Sequence, residues 1–469
     1  MGCSRRAERL FFGARAPDAL AMQTYDLTTG PVRPLLRKLA MPAAIGIFCN
    51  TLYNLTDTYF AGKLSTAALA GLSVSFPVFF SIIAVGAGLS AGTTALIAFA
   101  LGRGDIARAR LLAAQSLSFG IIAGVLLTIL GLIFMRPLFV LLGASGGYLE
   151  SAVQYMRIVF IGSVFFVGSY AVNAGLVARG DTHTLRNMLA VGALLNAGLD
   201  PWFMFGGFGI PAMGLSGVAL STILIQAGGM CYMIYRARRA GLFTAETWGQ
   251  LRPRGEPFRR IFGQGAPSAL NHVTIGVGIF VITYFASRFG HVAVAGYGVA
   301  TRIEQVVLLP VLGLTSATLA IAGQSLGAGR IERVREAWHA GLREGLLVML
   351  VGGALMFLFA RPAIGLFASE SNVVAIGVGY LHVTVFVLYA YVFLFITTSL
   401  LQAIQQPMYA LWIGLYRQIL APLVLYPLLT GRLGILGLWF GVGLVTWSAA
   451  LFTLAWGRRA LRKLTHRSE

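Results

Sequence analysis

Three acidic residues lie inside long apolar stretches of this sequence. Asp57, Asp200 and Glu304 are surrounded by hydrophobic residues, whereas the other acids lie in tails, in loops or near the ends of apolar stretches. A carboxyl group at membrane depth costs about 3 kcal/mol on insertion scales unless it is protonated, paired or turned toward water. These three acids are therefore candidates for function rather than for stability.

Two of the acids are each accompanied by an asparagine at helical spacing. Asn54 precedes Asp57 by three positions and Asn196 precedes Asp200 by four, so each pair lies on one face of a helix. Thr222 adds a hydroxyl group in the next apolar stretch. Carboxylate, amide and hydroxyl oxygens are the ligands that hard cations prefer. Two neighbouring carboxyl groups also favour uptake of a proton, because both are not easily ionised together.

We therefore predict a coupling site for H⁺ or Na⁺ at Asp57, Asn196, Asp200 and Thr222. The spacing alone does not choose between the two ions. The alternative is that both acids are structural and form helix-to-helix hydrogen bonds, or that one of them pairs with an arginine. No cofactor is predicted apart from the coupling ion.

Glu304 is predicted to attract a cationic substrate. Arg302 and Glu304 are two positions apart, about 200° around a helix, so they do not face each other. The alternative is a structural ion pair between Glu304 and either Arg417 or Arg157. The predicted substrate contacts are Asn54, Glu304, Arg302 and Tyr53.

The composition shows what kind of elements hold these residues. Of the 469 residues, 57% are hydrophobic and 11% are charged, against about 25% charged in a soluble domain. About twelve apolar segments are long enough to span a bilayer as helices, so we predict an all-α integral membrane protein with twelve transmembrane helices. Most of the 36 Lys and Arg lie in the tails and in every second loop. This placement explains the net charge of +20 as membrane topology with both termini cytoplasmic, and not as nucleic-acid binding.

The two halves of the chain are related by a shift of 225 positions without a gap. Pro42 falls on Pro267, and the glycine-containing loop 101–104 falls on 326–329. An even number of segments separates equivalent positions, so the repeats are parallel and related by an axis along the membrane normal. The buried acids do not recur, since Asp57 falls on Ile282. A residue present in one half only is the better candidate for function.

The repeat divides the chain into two six-helix lobes. The predicted parts are an N-terminal cytoplasmic tail (1–34), an N-lobe (35–236), a basic cytoplasmic linker (237–260), a C-lobe (261–457) and a C-terminal cytoplasmic tail (458–469). Walker A, GxSxG, HExxH and CxxC motifs are absent, so an enzyme is not predicted. A channel is disfavoured because a pore usually presents rings of charge, and the three cysteines provide no disulfide framework.

With these motifs in view, the chain resembles the multidrug and toxic compound extrusion (MATE) family, and within it the branch of the DNA-damage-inducible protein F. The similarity runs from about Leu27 to Arg459. The motifs that carry it are Pro42, Asn54-Leu55-Thr56-Asp57-Thr58, Gly102-Arg103-Gly104-Asp105, Asn196, Asp200-Pro201 and Gly217-Val218-Ala219-Leu220-Ser221-Thr222, together with the parallel repeat.

The resemblance implies a secondary antiporter of the bacterial cytoplasmic (inner) membrane. It would export organic cations or amphipathic drugs in exchange for H⁺ or Na⁺ by rocking of the two lobes, as a monomer among membrane lipids and without nucleic acid. The matching coupling positions are Asp57, Asn196, Asp200 and Thr222, with a hinge at Pro42. The sodium-coupled branch carries acids in segments seven and ten, which this chain lacks, and this argues against a cation site in the C-lobe.

A lipid-linked oligosaccharide flippase of the same architecture is the alternative that the resemblance leaves open. Such relatives tend to line their cavity with arginine and lysine to hold pyrophosphate. Arg157, Arg302 and Arg417 are available for that role here. The two acids of the N-lobe favour export of cations over this alternative.

Overall fold

The computed structural model describes residues 26–207, 209–368 and 370–468, and residues 1–25 of the predicted N-terminal tail lie outside these ranges. The described chain is almost entirely helical. In chain order the helices are α1 (Val32–Leu64), α2 (Thr66–Gly102), α3 (Ile106–Leu141), α4 (Gly146–Ile161 and Ser163–Ala178), α5 (His183–Phe205), α6 (Leu215–Arg239), α7 (Gly255–Ser287), α8 (His291–Gly327), α9 (Ile331–Gly365), α10 (Ser371–Ala403), α11 (Met408–Leu415, the π-helical turn Tyr416–Leu420 and 421–433) and α12 (435–468).

The prediction of twelve spanning helices is confirmed. Ten helices in the described ranges are long and apolar enough to cross a membrane, and the two parts of α4, bent by 46°, make an eleventh span. The last of the ten covers two spans, α11 and α12, because the chain turns at Gly434, whose φ of +59° breaks the helix. Side-chain caps begin α2 and α3, where Ser65 accepts from the Ala68 amide and Asp105 accepts from the Arg108 amide.

Two hydrophobic cores define the two lobes. One core is built by residues of α2 to α6, among them Phe139 and Met156, and the other mainly by residues of α8 to α12, among them Tyr380 and Trp439. The repeat is visible in the backbone between α2 and α3 and between α8 and α9. There Gly104 and Gly329, which are 225 positions apart, have φ values of +74° and +72°. The turn between the second and third helices of each lobe therefore has the same conformation.

The lobes touch at the end of the bundle where α1 begins and α12 ends, which we call the terminal end. Gly102 of α2 packs against the backbone of Gln324 in α8, and a Cβ atom at this glycine would lie 1.9 Å from the Gln324 carbonyl oxygen. Gly327 packs in the same way against Phe99, with its Cβ position 2.1 Å from the Phe99 carbonyl oxygen. The two contacts are related by the shift of 225, so α2 and α8 cross on the pseudo-two-fold axis with no room for a side chain.

The cleft between the lobes opens toward the opposite end, which we call the far end. On α8, Gly313 packs against Ala40 and Ala44 of α1. Arg302 is three turns farther along α8, at nearly the same angle around the helix, and it is exposed. The face of α8 that is covered by α1 near the terminal end is therefore uncovered near the far end. The lobes are closed at the terminal end and apart at the far end.

Reciprocal polar contacts reinforce the closed terminal end. Arg108, in the N-lobe, pairs with Glu256 at the start of α7 in the C-lobe at 2.6 Å. Arg333, which is 225 positions later in the C-lobe, donates to the carbonyl oxygens of Leu27, Thr29 and Gly30 just before α1. An arginine of each lobe thus contacts the chain at the start of the first helix of the other lobe.

A second contact across the terminal end is formed by charged side chains. Glu344 of α9 accepts from Arg33 Nε at 2.6 Å and from Arg37 Nε at 2.8 Å, and both arginines lie on α1. The side chain of Glu344 is buried, whereas those of Arg33 and Arg37 are 41% and 63% exposed. Solvent therefore weakens each pair, and the cluster acts mainly as a geometric tie between α1 and the C-lobe.

The contact of Arg333 with the entry segment leads to a testable prediction. In Arg333→Gln, the amides of residues 27–30 should exchange with solvent about tenfold faster, because roughly 1.4 kcal/mol of hydrogen bonding to three carbonyls is lost. Hydrogen–deuterium exchange with mass spectrometry measures this. Arg335→Gln is the matched control, since Arg335 contacts Glu332 and Thr465 and does not touch the segment. Equal exchange in wild type and Arg333→Gln would show that the contact does not hold the segment.

Candidate functional site

A buried polar cluster occupies the middle of the N-lobe. Helix α1 supplies Tyr53 and Asp57, and α5 supplies Asn196 and Asp200. Their relative exposures are 7%, 6%, 0% and 0%, in an otherwise apolar interior. Helix α4 adds Tyr155 and α6 adds Ser221 and Thr222, all of them buried. All four residues predicted for ion coupling are therefore brought together, and they come from three helices, α1, α5 and α6.

The two carboxyl groups are in direct contact. Asp57 and Asp200 lie within hydrogen-bonding reach of each other. Asn196 Nδ2 donates to Asp57 Oδ1 at 2.8 Å, and the Ser221 hydroxyl donates to Asp200 Oδ1. Two ionised carboxylates in contact repel each other strongly away from water. The cluster therefore requires a proton or a cation between the two groups.

Several oxygen atoms of the cluster have no hydrogen-bond partner within the described part of the chain. These atoms are Asp200 Oδ2, Asn196 Oδ1, Thr222 Oγ1 and the Tyr53 hydroxyl, of which the last two lie near each other. Buried polar atoms are normally paired, so a group of orphaned ones indicates a small polar occupant. The carboxylate, amide and hydroxyl types fit H⁺, Na⁺ or water. Elsewhere in the described ranges, three or more His, Cys, Asp or Glu side chains do not come together as a metal site.

Small residues allow the helices that carry the cluster to approach closely. A Cβ at Gly192 of α5 would lie 3.1 Å from the Ile225 side chain of α6 and 4.0 Å from the Tyr53 ring of α1. Gly217 of α6 similarly packs against the backbone of Phe203 at the end of α5. Helix α5 continues through Pro201 to Phe205, so the proline does not displace Asp200 from the cluster.

The predicted substrate contacts and the predicted hinge lie apart from this cluster, with the exception of Tyr53. Asn54 is half-buried and donates to the Asn50 carbonyl of its own helix at 2.8 Å. Pro42 is buried within a continuous α1, near the terminal end. Tyr53, predicted as a substrate contact, belongs to the buried cluster instead of the cleft surface. Glu304 and Arg302 are on opposite faces of α8, as their spacing predicted, with Glu304 buried and Arg302 exposed.

A second polar cluster lies in the C-lobe around Glu304. The Tyr380 hydroxyl of α10 donates to Glu304 Oε2 at 2.6 Å. Tyr391, also of α10, lies close to both Glu304 and Arg417. Arg417 lies in the π-helical turn of α11, with its guanidinium carbon 5.4 Å from the centre of the Tyr391 ring. Of the two arginines that the sequence left open as partners, Arg417 is the one near Glu304, and a tyrosine separates them.

Tyr155 and Tyr391 are the functional candidates that sequence reasoning did not place in the ion or substrate site, whereas Ser221 is the neighbour of the predicted Thr222. Tyr155 falls on Tyr380 in the repeat, and each tyrosine lies beside the buried acid of its own lobe. The acids themselves come from α1 and α5 in one lobe and from α8 in the other. This shared tyrosine was visible in the sequence, but its partners became apparent only from the packing of the helices.

Comparison with known proteins decides the family. The MatE family model matches residues 42–202 and again residues 267–427, so the two matches differ by the shift of 225 that relates the halves. The chain belongs to the MatE family. This confirms the resemblance to multidrug and toxic compound extrusion transporters, which are membrane transporters and not enzymes. The finer assignment to the branch of the DNA-damage-inducible protein F stays a prediction.

MatE relatives match most of the chain. A FAD transporter of Shewanella oneidensis is 29% identical over 74% of this chain and 77% of the relative. A probable multidrug resistance protein NorM of Thermotoga maritima is 29% identical over 88% of this chain and 89% of the relative. A solved outward-facing MATE family multidrug resistance transporter superposes with a TM-score of 0.88, at 27% identity, covering 95% of this chain and 99% of that one. The two-lobe MatE architecture is thus shared over nearly the whole length.

Proposed function

We propose that this MatE transporter is a secondary antiporter that exports amphipathic organic compounds in exchange for H⁺ or Na⁺. The observation that carries the proposal is the contact between Asp57 and Asp200, surrounded by orphaned oxygen atoms in an apolar lobe. Such a pair is a poor structural element, because it is unstable when both groups are ionised. It is a suitable coupling site for the same reason, since one proton or one Na⁺ relieves the repulsion.

Helix α1 links this coupling site to the contact between the lobes. Asp57 lies near the far end of α1, whereas Ala40 packs on α8 and Arg37 pairs with Glu344 of α9 near the terminal end. Pro42 lies between these two regions, and a proline weakens a helix by removing one backbone hydrogen bond. A change in the bend of α1 on neutralisation of Asp57 would therefore alter the tie between the lobes. This supports the predicted hinge at Pro42.

In the two states of alternating access, the cleft is open either at the far end or at the terminal end. With the termini in the cytoplasm, as the charge distribution predicts, the open cleft faces the outside, where the substrate leaves and the ion enters. Rocking of the lobes then closes the far end and separates the contacts of Gly102 and Gly327. The coupling requires that the ion and the substrate differ in their affinity for the two states.

The substrate has two candidate charges, positive and negative. The sequence predicts organic cations attracted by Glu304. An anionic aromatic compound is the second candidate, because one relative is a FAD transporter and because Arg302 is exposed on the cleft-facing side of α8. A lipid-linked oligosaccharide as the only active substrate would instead favour the flippase alternative.

Exchange in proteoliposomes tests the proposal. The protein is reconstituted with a fluorescent drug inside, and a pH gradient and a Na⁺ gradient are imposed in separate experiments. We expect export to accelerate with one of the two gradients and to saturate with substrate concentration. Flux that is proportional to the substrate gradient and indifferent to both ions would contradict antiport and favour a channel.

A further inference from the structure

We propose that Glu304, Tyr391 and Arg417 form a proton-controlled binding site for the acidic group of an aromatic substrate. The inference rests on the proposed transport function, and it assigns to the C-lobe a substrate class and a role for a second proton. It differs from the prediction that Glu304 attracts a cation.

The three side chains form a continuous chain from the buried interior to a partly exposed charge. Glu304 is 4% exposed and accepts from Tyr380 at 2.6 Å. Tyr391 lies close to Glu304, and the Arg417 guanidinium lies over its ring, 5.4 Å from the centroid. Tyr391 and Arg417 are half-buried. Tyr391 and Arg417 are therefore the members of the chain that a ligand can reach, and Arg417 is the charged one.

The charge of this site depends on one proton. When Glu304 is ionised, its charge compensates that of Arg417, and the site is neutral overall. When Glu304 is protonated, Arg417 carries an uncompensated positive charge at membrane depth, which is costly until an anion binds. A guanidinium group binds carboxylate, sulfonate or phosphate groups through two parallel hydrogen bonds. Protonation of Glu304 and binding of an anion at Arg417 should therefore favour each other.

Among the groups around Glu304, only Glu304 itself changes its charge near neutral pH. Tyr297 of α8, Tyr380 and Tyr391 of α10, and Tyr426 and Arg417 of α11 are the titratable groups of the cluster. Tyrosines stay protonated near neutral pH and arginine stays charged. Within the described ranges, α7, α9 and α12 bring no further charge to Glu304.

Aromatic side chains surround Glu304 and extend to Arg417. The Tyr297 ring stacks on Trp439 with centroids 5.8 Å apart, and Tyr380 meets Trp439 edge-on at 5.0 Å. The half-buried rings of Tyr391 and Phe395 stack with centroids 5.5 Å apart, so the aromatic surface that a ligand can meet lies beside Arg417. The π-helical turn 416–420 widens α11 locally and turns Arg417 toward Tyr391, as such turns often do at binding sites.

Binding of two probes of opposite charge tests the site. Naphthalene-2-sulfonate and (2-naphthyl)trimethylammonium share one ring system, and their charges do not change with pH. Equilibrium binding to the purified full-length protein is measured by calorimetry at about pH 6 and about pH 8 in buffers of different ionisation enthalpy. We expect the sulfonate to bind about tenfold more tightly at the lower pH and to take up a proton on binding. Equal binding of the two probes, or sulfonate binding without proton uptake, overturns the proposal.

Variants assign the effect to individual residues. Glu304→Gln should bind the sulfonate at both pH values as tightly as wild type does at the lower one, without proton uptake. Arg417→Gln should lose sulfonate binding, whereas Arg288→Gln should keep it, since Arg288 also lies over a tyrosine ring but at the far end of α7. If Arg417→Gln does not fold, Tyr391→Phe decides the matter. It should bind the sulfonate with a reduced dependence on pH, and an unchanged dependence contradicts the proposal.

The failure of this inference and that of the proposed antiport are distinguishable. Asp57→Asn/Asp200→Asn should lose ion-driven export but keep pH-dependent sulfonate binding, because its C-lobe is unchanged. Ion-driven export by wild type without pH-dependent sulfonate binding overturns only the C-lobe inference. Conversely, sulfonate binding that depends on pH, without any ion-driven export, overturns only the antiport.

Discussion

Asp57→Asn and Asp200→Asn should each reduce ion-driven export to the background of empty vesicles while leaving the protein folded. An asparagine has the shape of aspartate but cannot take up a proton at neutral pH and is a weaker ligand for Na⁺. In Asp57→Asn the new amide oxygen still accepts from Asn196, so the contact at 2.8 Å is kept. The loss of repulsion between two carboxyl groups limits the change in the free energy of unfolding to about 1 kcal/mol. Export by reconstituted protein and thermal unfolding in detergent measure the two effects.

The matched control for these variants is an acid outside the cluster. Glu332 is at the start of α9, with its side chain 76% exposed, and pairs only with Arg335 on its own helix. Glu332→Gln should export at the wild-type rate. Full ion-driven export by either Asp57→Asn or Asp200→Asn would disprove the coupling role of the pair. Loss of export together with a large loss of stability would support the structural alternative.

Gly102→Ala should shift the protein toward a state that is open at the terminal end. The new Cβ would lie 1.9 Å from the Gln324 carbonyl oxygen, so α2 and α8 cannot keep their present separation. Overpacking of this kind costs about 2 kcal/mol, which corresponds to a roughly 30-fold change in the ratio of the two states. Spin labels at positions 238 and 459, exposed sites at the terminal ends of α6 and α12, measure the separation.

A glycine with free space around it serves as the control for this shift. Gly263, near the start of α7, has no atom within 4 Å of its Cβ position, so Gly263→Ala should leave the distance distribution unchanged. Gly327→Ala should reproduce the effect of Gly102→Ala, because Gly327 packs against the backbone of Phe99 as Gly102 packs against that of Gln324. A distribution identical to that of wild type in both variants would show that the crossing of α2 and α8 does not control the closed end.

The twelve-helix architecture and the repeat were predictable because both depend on local patterns. A helix that spans a membrane satisfies its own backbone hydrogen bonds, so the length of an apolar segment nearly determines its structure. The shift of 225 positions found within the sequence is the shift between the two matches of the MatE family model. The opposite orientations of Arg302 and Glu304 likewise follow from helical periodicity. These features need no knowledge of which helices touch.

The contacts of the candidate sites required the tertiary structure. The sequence placed an asparagine beside each aspartate on its own helix, yet the amide that donates to Asp57 belongs to Asn196 of α5. The sequence offered two arginines as partners of Glu304. In the structure, tyrosines of α10 surround this acid, and Arg417 lies beyond Tyr391. Tyr155 carried no local signal of its proximity to the aspartates. Contacts between helices depend on their rotation and depth, which periodicity leaves open.

The sequence by itself determined that three acids at membrane depth need a functional explanation, and that two of them are specific to the N-lobe. The high cost of a carboxyl group in an apolar segment makes this conclusion independent of the fold. The tertiary structure decided that Asp57 and Asp200 touch, that Glu304 belongs to a separate site, and that the lobes close at the terminal end. Each of these results depends on close packing between helices that are distant in the chain, such as that of Gly102 against Gln324.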